Sequence, residues 1–181
     1  KMGIPYYFQK IVNEFNPLNA VPLRLYNEDL FCIDFNSVIH NSANSLLKHK
    51  RNPSYKQIID SILKSLVDLI NIVPATVIYI ATDGLCPMAK IAQQRKRRFM
   101  NAPDNIINDD TVWNSIAVTP GTKFMNMLDQ EIKEFADKNK HIINIIFSPS
   151  SDPGEGEQKI FDYIQSNCIQ SNIIIYGLDA D

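Results

Sequence analysis

Four short apolar runs rich in Ile and Val, at residues 30–33, 76–81, 142–147 and 173–176, recur along this chain, each followed by polar or turn residues. Runs of this length are the mark of strands buried on both faces. Segments with helical spacing lie between and after them, at 55–72, 88–101, 122–138 and 157–168. Alternating strands and helices restrict the chain to a parallel sheet, because each parallel connection needs a crossover and the crossover covers a face. The expected fold class is therefore α/β, with a doubly wound parallel sheet. The helix at 55–72 is the best marked: Ser54 is a usable cap behind Pro53, and Ile58, Ile59, Ile62, Leu63, Leu66, Leu69 and Ile70 repeat along one side. The helix at 122–138 follows Pro120-Gly121-Thr122. Residues 101–110 are polar, contain Pro103 and read as a loop, whereas Trp113 and Tyr6-Tyr7-Phe8 read as core.

Composition narrows the class further. The 181 residues are 45% hydrophobic and 21% charged, which suits one globular domain and excludes disordered, collagen-like and coiled-coil chains. Eighteen basic against twenty acidic residues leave a formal charge of −2, so any contact with nucleic acid must come from a local patch. Cys32, Cys86 and Cys168 are widely spaced and form no CxxC pair, which speaks against a disulfide framework or thiolate zinc site and for a reducing compartment. Neither a membrane-spanning run nor a signal-peptide pattern is present, so the expected location is cytoplasmic, with no membrane partner. Lys1 precedes a Met2-Gly3 pair that reads as a natural start. Residues 177–181 stop where an α/β domain would enter its next helix, so the sequence is expected to be truncated at its C-terminal end.

The residues that end the strands carry the chemistry. Ligands of open α/β sheets gather at the carboxyl ends of the strands, and here those ends are acidic. Asp34 ends the first strand, Asp83 the second, and Asp179 with Asp181 the fourth, while Glu155 and Glu157 follow the third. Alternate residues of an extended segment share a side, which brings Asp179 to Asp181 and Asp34 to Asn36. Glu155 and Glu157 can cooperate only if Gly154 and Gly156 keep their segment irregular, because residues two apart diverge on a helix. Two like charges ~4 Å apart repel by about 4 kcal/mol at an effective dielectric of 20, so six carboxylates on one edge require something cationic among them. Oxygen donors of this kind suit Mg²⁺ or Mn²⁺, and two such ions are the recurring engine of phosphodiester hydrolysis. The plainer reading makes each acid a helix cap or loop residue.

Lys90, Gln94, Arg97 and Arg98 are spaced as one stripe of the helix at 88–101. Guanidinium forks and a lysine suit a terminal phosphate, although Arg95-Lys96-Arg97-Arg98 could equally be a solvated face or an import signal. His40 stands alone, and the three histidines make no zinc set.

Together these residues resemble the N-terminal conserved region of the Xrn family of 5′→3′ exoribonucleases. The blocks that carry the likeness, in family order, are Met-Gly-Ile-Pro at 2–5, Ile-Asp-Phe-Asn-Ser-Val-Ile-His-Asn at 33–41, and Ala89-Lys90 with Gln93-Gln94-Arg95 and Arg97-Arg98-Phe99. They continue with Thr-Pro-Gly-Thr at 119–122, Pro-Gly-Glu-Gly-Glu at 153–157 and Tyr-Gly-Leu-Asp-Ala-Asp at 176–181. The resemblance implies a PIN- or flap-nuclease-like core that hydrolyses single-stranded RNA from a 5′-monophosphate end to mononucleotides. It implies Asp34, Asp83, Glu155, Glu157, Asp179 and Asp181 as ligands of two catalytic metal ions. It further implies Lys90, Gln94, Arg97 and Arg98 as the 5′-phosphate pocket, and His40, with Asn36 in the same block, at the first nucleotide. The 36–41 block is closer to cytoplasmic than to nuclear members. Met88, Ala92 and Gln158 depart from the usual Arg, Asn and His. The family continues with a further metal-binding Asp and a stacking Trp beyond this sequence, so the isolated segment is expected to be inactive. The competing expectations are a structure-specific flap nuclease acting on DNA and a non-catalytic RNA-binding or scaffold module.

Overall fold

The computed structural model describes residues 28–100, 113–167 and 172–177, with Lys10 and Glu14; the side chains of 28, 89, 93 and 97–100 lie outside that description, as do Tyr6-Tyr7-Phe8, the 101–110 loop and Cys168. Strands β1 (Glu28–Asp34), β2 (Ala75–Ala81), β3 (Asn144–Ser148) and β4 (Ile173–Tyr176) form one sheet in the order β3-β2-β1-β4. All three pairings are parallel. The chain winds outward through β1, β2 and β3 and then returns to the other side of β1, so its winding reverses between β1 and β4. Crevices at the carboxyl ends beside such a reversal are where ligands of α/β sheets bind.

Helices cover both faces, as the alternation of the strand residues requires. Phe31, Ile33, Ile78 and Ile80 point to one face and pack with α1 (Phe35–Leu47), α2 (Tyr55–Ile72) and α4 (Lys123–Asn139). Leu30, Cys32, Tyr79 and Ala81 point to the other and meet Ile160 of α5 (Gly156–Ser166). Each fully buried Ile, Leu or Phe contributes roughly 1.5–3 kcal/mol relative to exposure, so the larger first cluster dominates the stability. Phe124 is its hub: Tyr55 and Trp113 meet that ring edge-on at 5.2 and 4.9 Å. Among the described residues no helix is long and apolar enough to cross a membrane.

Local signals explain most boundaries. Ser54 and Gln57 form a reciprocal capping box at the start of α2. Thr122 accepts the Met125 N–H at the start of α4. Two expectations are corrected. The run at 142–147 begins as a strand only at Asn144, because the Ile142 and Ile143 N–H groups close the turn after α4 onto Asn139, which leaves Ile142 75% exposed. The segment after Asp34 is not extended: α1 starts at Phe35, driven by Phe35, Val38, Ile39 and Ala43, which bury one helical face. The remaining helix, α3, spans Met88–Met100.

Candidate active site

One cleft of about 570 Å³ opens at the carboxyl edge of the sheet, and Asp34, Asn36, His40, Asp83, Lys90, Gln94, Glu155 and Glu157 all line it. Asp34 closes β1 and stands at the N-cap position of α1 without a side-chain capping bond, 9% exposed. Asn36 reaches the cleft from the first turn of α1, not by alternation along a strand, and its Oδ1 accepts the Asp83 N–H at 3.0 Å. That bond ties the loop after β2 to the helix after β1. Asp83 Oδ1 in turn accepts the Gly156 N–H at 2.8 Å, which ties the same loop to α5.

The expected irregular joint between Glu155 and Glu157 is present. Gly154 has φ of +104°, a left-handed conformation that L side chains rarely adopt, and it turns the chain before α5. Glu155 is the extended cap residue of α5, while Glu157 lies in its first turn. Gly156 between them is fixed by space: a Cβ there would stand 2.5 Å from Asp34 Oδ1 and 3.3 Å from the Ala81 carbonyl oxygen. Beyond β4, the chain at Gly177 passes beside Asp34, with room for a Cβ 3.9 Å from the Asp34 Cβ. Asp179 and Asp181 lie outside the described residues. On α3, Lys90 and Gln94 face the cleft; the side chains of Arg97 and Arg98 lie outside the description.

The cationic charge that four carboxylates demand is partly the protein's own. Lys90 Nζ pairs with Glu155 Oε2 in the cleft, and this hydrogen bond raises the Lys90 pKa. Burial pushes the Asp83 carboxyl up; the Gly156 N–H works against that, the Glu155 charge adds to it, and Lys90 and Lys159 oppose it. Lys159, a residue that the sequence reading passed over, lies buried behind the acids, with Nζ on the Thr82 and Pro149 carbonyl oxygens. Its signal was available: it sits on the apolar side of α5 next to Ile160 and four residues from Tyr163.

The four carboxylates of the cleft supply hard oxygen atoms, the kind that divalent Mg²⁺ or Mn²⁺ prefers. Gly156 leaves the Asp34 carboxylate the space that a side chain would otherwise fill. Among the described residues, however, no three Asp, Glu, His or Cys side chains form a group that could hold an ion by itself. The residues fit a divalent ion in donor chemistry, with Asp34, Asp83, Glu155 and Glu157 as the described contributors.

The family described as "XRN 5'-3' exonuclease N-terminus" matches residues 2–181. The chain is similar to 5'-3' exoribonuclease 1 of Schizosaccharomyces pombe, 30% identical over 210 aligned residues that cover 99% of this chain and 16% of that protein. It is 31% identical to human 5'-3' exoribonuclease 1, over 99% of this chain and 12% of that protein. To 5'-3' exoribonuclease 2 of Candida glabrata it is 31% identical, over 84% of this chain and 18% of the relative. The chain thus spans less than a fifth of the length of these relatives. With an all-parallel sheet, carboxylates gathered at its carboxyl edge, and a family match over all but its first residue, this chain belongs to the XRN 5′-3′ exonuclease family, in its N-terminal region.

Proposed function

We propose that this chain is the N-terminal part of the nuclease domain of a metal-dependent 5′→3′ exoribonuclease, which hydrolyses single-stranded RNA from a 5′-monophosphate end and releases mononucleotides. The observation that carries the reading is the meeting of Asp34, Asp83, Glu155 and Glu157 with Lys90 and Gln94 in one cleft of a chain from this family. The relatives' names supply the reaction class. Asp34, Asp83, Glu155 and Glu157, joined by Asp179 and Asp181, hold the metal, with two ions as the expected number. When bound, divalent ions at such sites lower the pKa of water and neutralise the charge developing on the phosphodiester.

The protein's own groups do the rest. Lys90, Gln94, Arg97 and Arg98 offer charge-assisted donors to the terminal phosphate, and Lys90 exchanges part of its bond to Glu155 for that dianion. An enclosed donor set leaves a 5′-hydroxyl end with unpaired donors, so the monophosphate is preferred. His40 stacks on the first base in this reading, which its exposure on α1 at the cleft supports, and Asn36 holds the Asp83 loop in register. The likeness of the 36–41 block to cytoplasmic members supports action in the cytoplasm.

The test uses the full-length protein with 5′-monophosphate and 5′-hydroxyl RNAs of the same sequence, in Mg²⁺ and in EDTA. Stepwise release of mononucleotides from the monophosphate RNA, abolished by EDTA, is expected. Endonucleolytic products, or hydrolysis indifferent to EDTA, would overturn the reading.

A further inference from the structure

Behind the cleft, the loops that carry Asp83 and Glu155 are sewn to each other through their backbones. The Thr82 N–H donates to the Ser148 carbonyl at 3.1 Å, the Gly84 N–H to Gly154 at 2.8 Å, and the Gly154 N–H to Leu85 at 2.9 Å. The two chains approach so closely that a Cβ on Gly84 would lie 1.7 Å from the Asp152 carbonyl oxygen. At this seam two carbonyls from different loops, Thr82 and Pro149, turn inward to the same Lys159 Nζ, at 2.8 and 2.9 Å. Thr82 directly precedes Asp83, Pro149 begins the turn that ends at Glu155, and Lys159 itself is one half-turn beyond Glu157 on α5. One ammonium therefore joins the three segments that bear three of the four described acids.

The environment shows that this lysine is a costly choice. Lys159 is 6% exposed, and burial lowers its pKa against the opposing charges of Asp152, Asp83 and Asp129. Burying an ammonium carries a desolvation cost of several kcal/mol, which an apolar side chain of the same length would avoid. What the apolar side chain could not do is donate to both carbonyls at once and so tie the two loops together; Pro149 also accepts the Asp152 N–H at 3.1 Å, but that bond stays within its own turn. The outer side of the same turn is held from α4, where Asp129 Oδ2 accepts the Ser150 N–H at 3.1 Å and the Ser150 hydroxyl at 2.7 Å.

We propose that Lys159 is a positioning residue for the cleft: by bracketing the loop after β2, the turn after β3 and the start of α5, it sets the spacing of Asp83, Glu155 and Glu157. The catalytic half of this proposal rests on the exoribonuclease reading; the structural half does not.

The experiment compares wild type and Lys159→Met in the full-length protein by steady-state kinetics on 5′-monophosphate RNA in Mg²⁺ and by amide hydrogen exchange. The methionine keeps the length of the stem and removes the donors. Misplacement of reacting groups by about 1 Å costs roughly 100-fold in rate, so kcat is expected to fall by about that factor with KM within about threefold. Exchange is expected to accelerate by about tenfold or more at 82–85 and 148–155 while β1 keeps its protection, the pattern of a local opening. Wild-type kcat, a loss carried by KM alone, or exchange that accelerates evenly across the sheet would overturn the proposal. If the methionine variant does not fold, Lys159→Gln, which keeps N–H donors without the charge, decides by the same two readings: slower kcat with selective exchange supports the bracket, and wild-type values overturn it. If the wild-type protein hydrolyses no RNA, the exoribonuclease reading fails, and the exchange pattern alone supports or overturns the bracket.

Discussion

Two lysines serve the same group of acids from opposite sides, and they differ in nearly every physical respect. Lys90 stands in the cleft with its side chain about one-third exposed, takes a carboxylate as partner, and has its pKa raised by it. Lys159 stands behind the cleft, buried, takes two backbone carbonyls, and has its pKa lowered by burial. The front lysine can trade its partner for a ligand at little cost, because water and Glu155 both compete for it. The back lysine cannot, since leaving would strip a donor from the Thr82 and Pro149 carbonyls together, although Pro149 also accepts the Asp152 N–H at 3.1 Å. The difference separates residues whose loss should alter substrate handling from residues whose loss should alter the placement of the whole edge.

The largest effect should come from the front. Asp83→Asn keeps an oxygen for the Gly156 N–H and removes the charge. Hydrolysis by the full-length protein is expected to fall by about 10³-fold, near 4 kcal/mol of transition-state stabilisation, while the melting temperature holds or rises. Stability should not fall because burial already disfavours the charged form of Asp83. Retained turnover, or loss of activity through unfolding, would erase the distinction between front and back.

Next in size, Lys90→Met should reduce the preference for 5′-monophosphate over 5′-hydroxyl RNA by about 10- to 100-fold, the worth of one charge-assisted bond. The ion pair with Glu155 is partly exposed, so its loss should change stability by less than about 1 kcal/mol. Competition between the two RNAs measures the first quantity and thermal melting the second. Equal slowing of both RNAs would make Lys90 a counter-ion for the acids with no part in reading the 5′ end.

The smallest effect is a slope with pH, and it belongs to the back. Burial raises the Asp129 carboxyl pKa, while its bonds from Ser150 and the charges of Lys133 and Lys159 pull it down. Because the folded pKa lies above the unfolded one, the stabilisation tied to this group is complete below the unfolded value, near 4, and is lost as pH rises through the folded value. Melting of wild type against Asp129→Asn from pH 4 to 8 should show the wild-type advantage shrinking with pH and then levelling. An advantage that grows with pH would reverse the sign assigned to Asp129.

Legibility followed the range of the interaction. The strand cores, the helix at 55–72 with its Ser54 cap, and the acids that follow β1, β2 and β3 are written in near-neighbour patterns, and the structure has Asp34, Asp83, Glu155 and Glu157 in those places. Helix α1 escaped notice although Phe35, Val38, Ile39 and Ala43 mark its face, because Asn36 could be read equally as the next outward residue of a strand. Lys159 escaped because a lysine in a helix is ordinarily solvated; its place on the apolar side of α5 hinted at burial, but its role shows only in its distance to two carbonyls 77 and 10 residues away.

What the sequence determined by itself is the α/β class, since apolar runs of strand length separated by amphipathic helices admit few other layers, and the family, since its blocks stand in order along the chain. What tertiary structure decided is which acids meet and what neutralises them. The Asn36 bond to Asp83, the space that Gly156 leaves for Asp34, and the two lysines before and behind the acids depend on contacts between segments far apart in the chain. Such contacts arise from the order of strands in the sheet and the close approach of loops at its edge, and no local pattern of side chains encodes either.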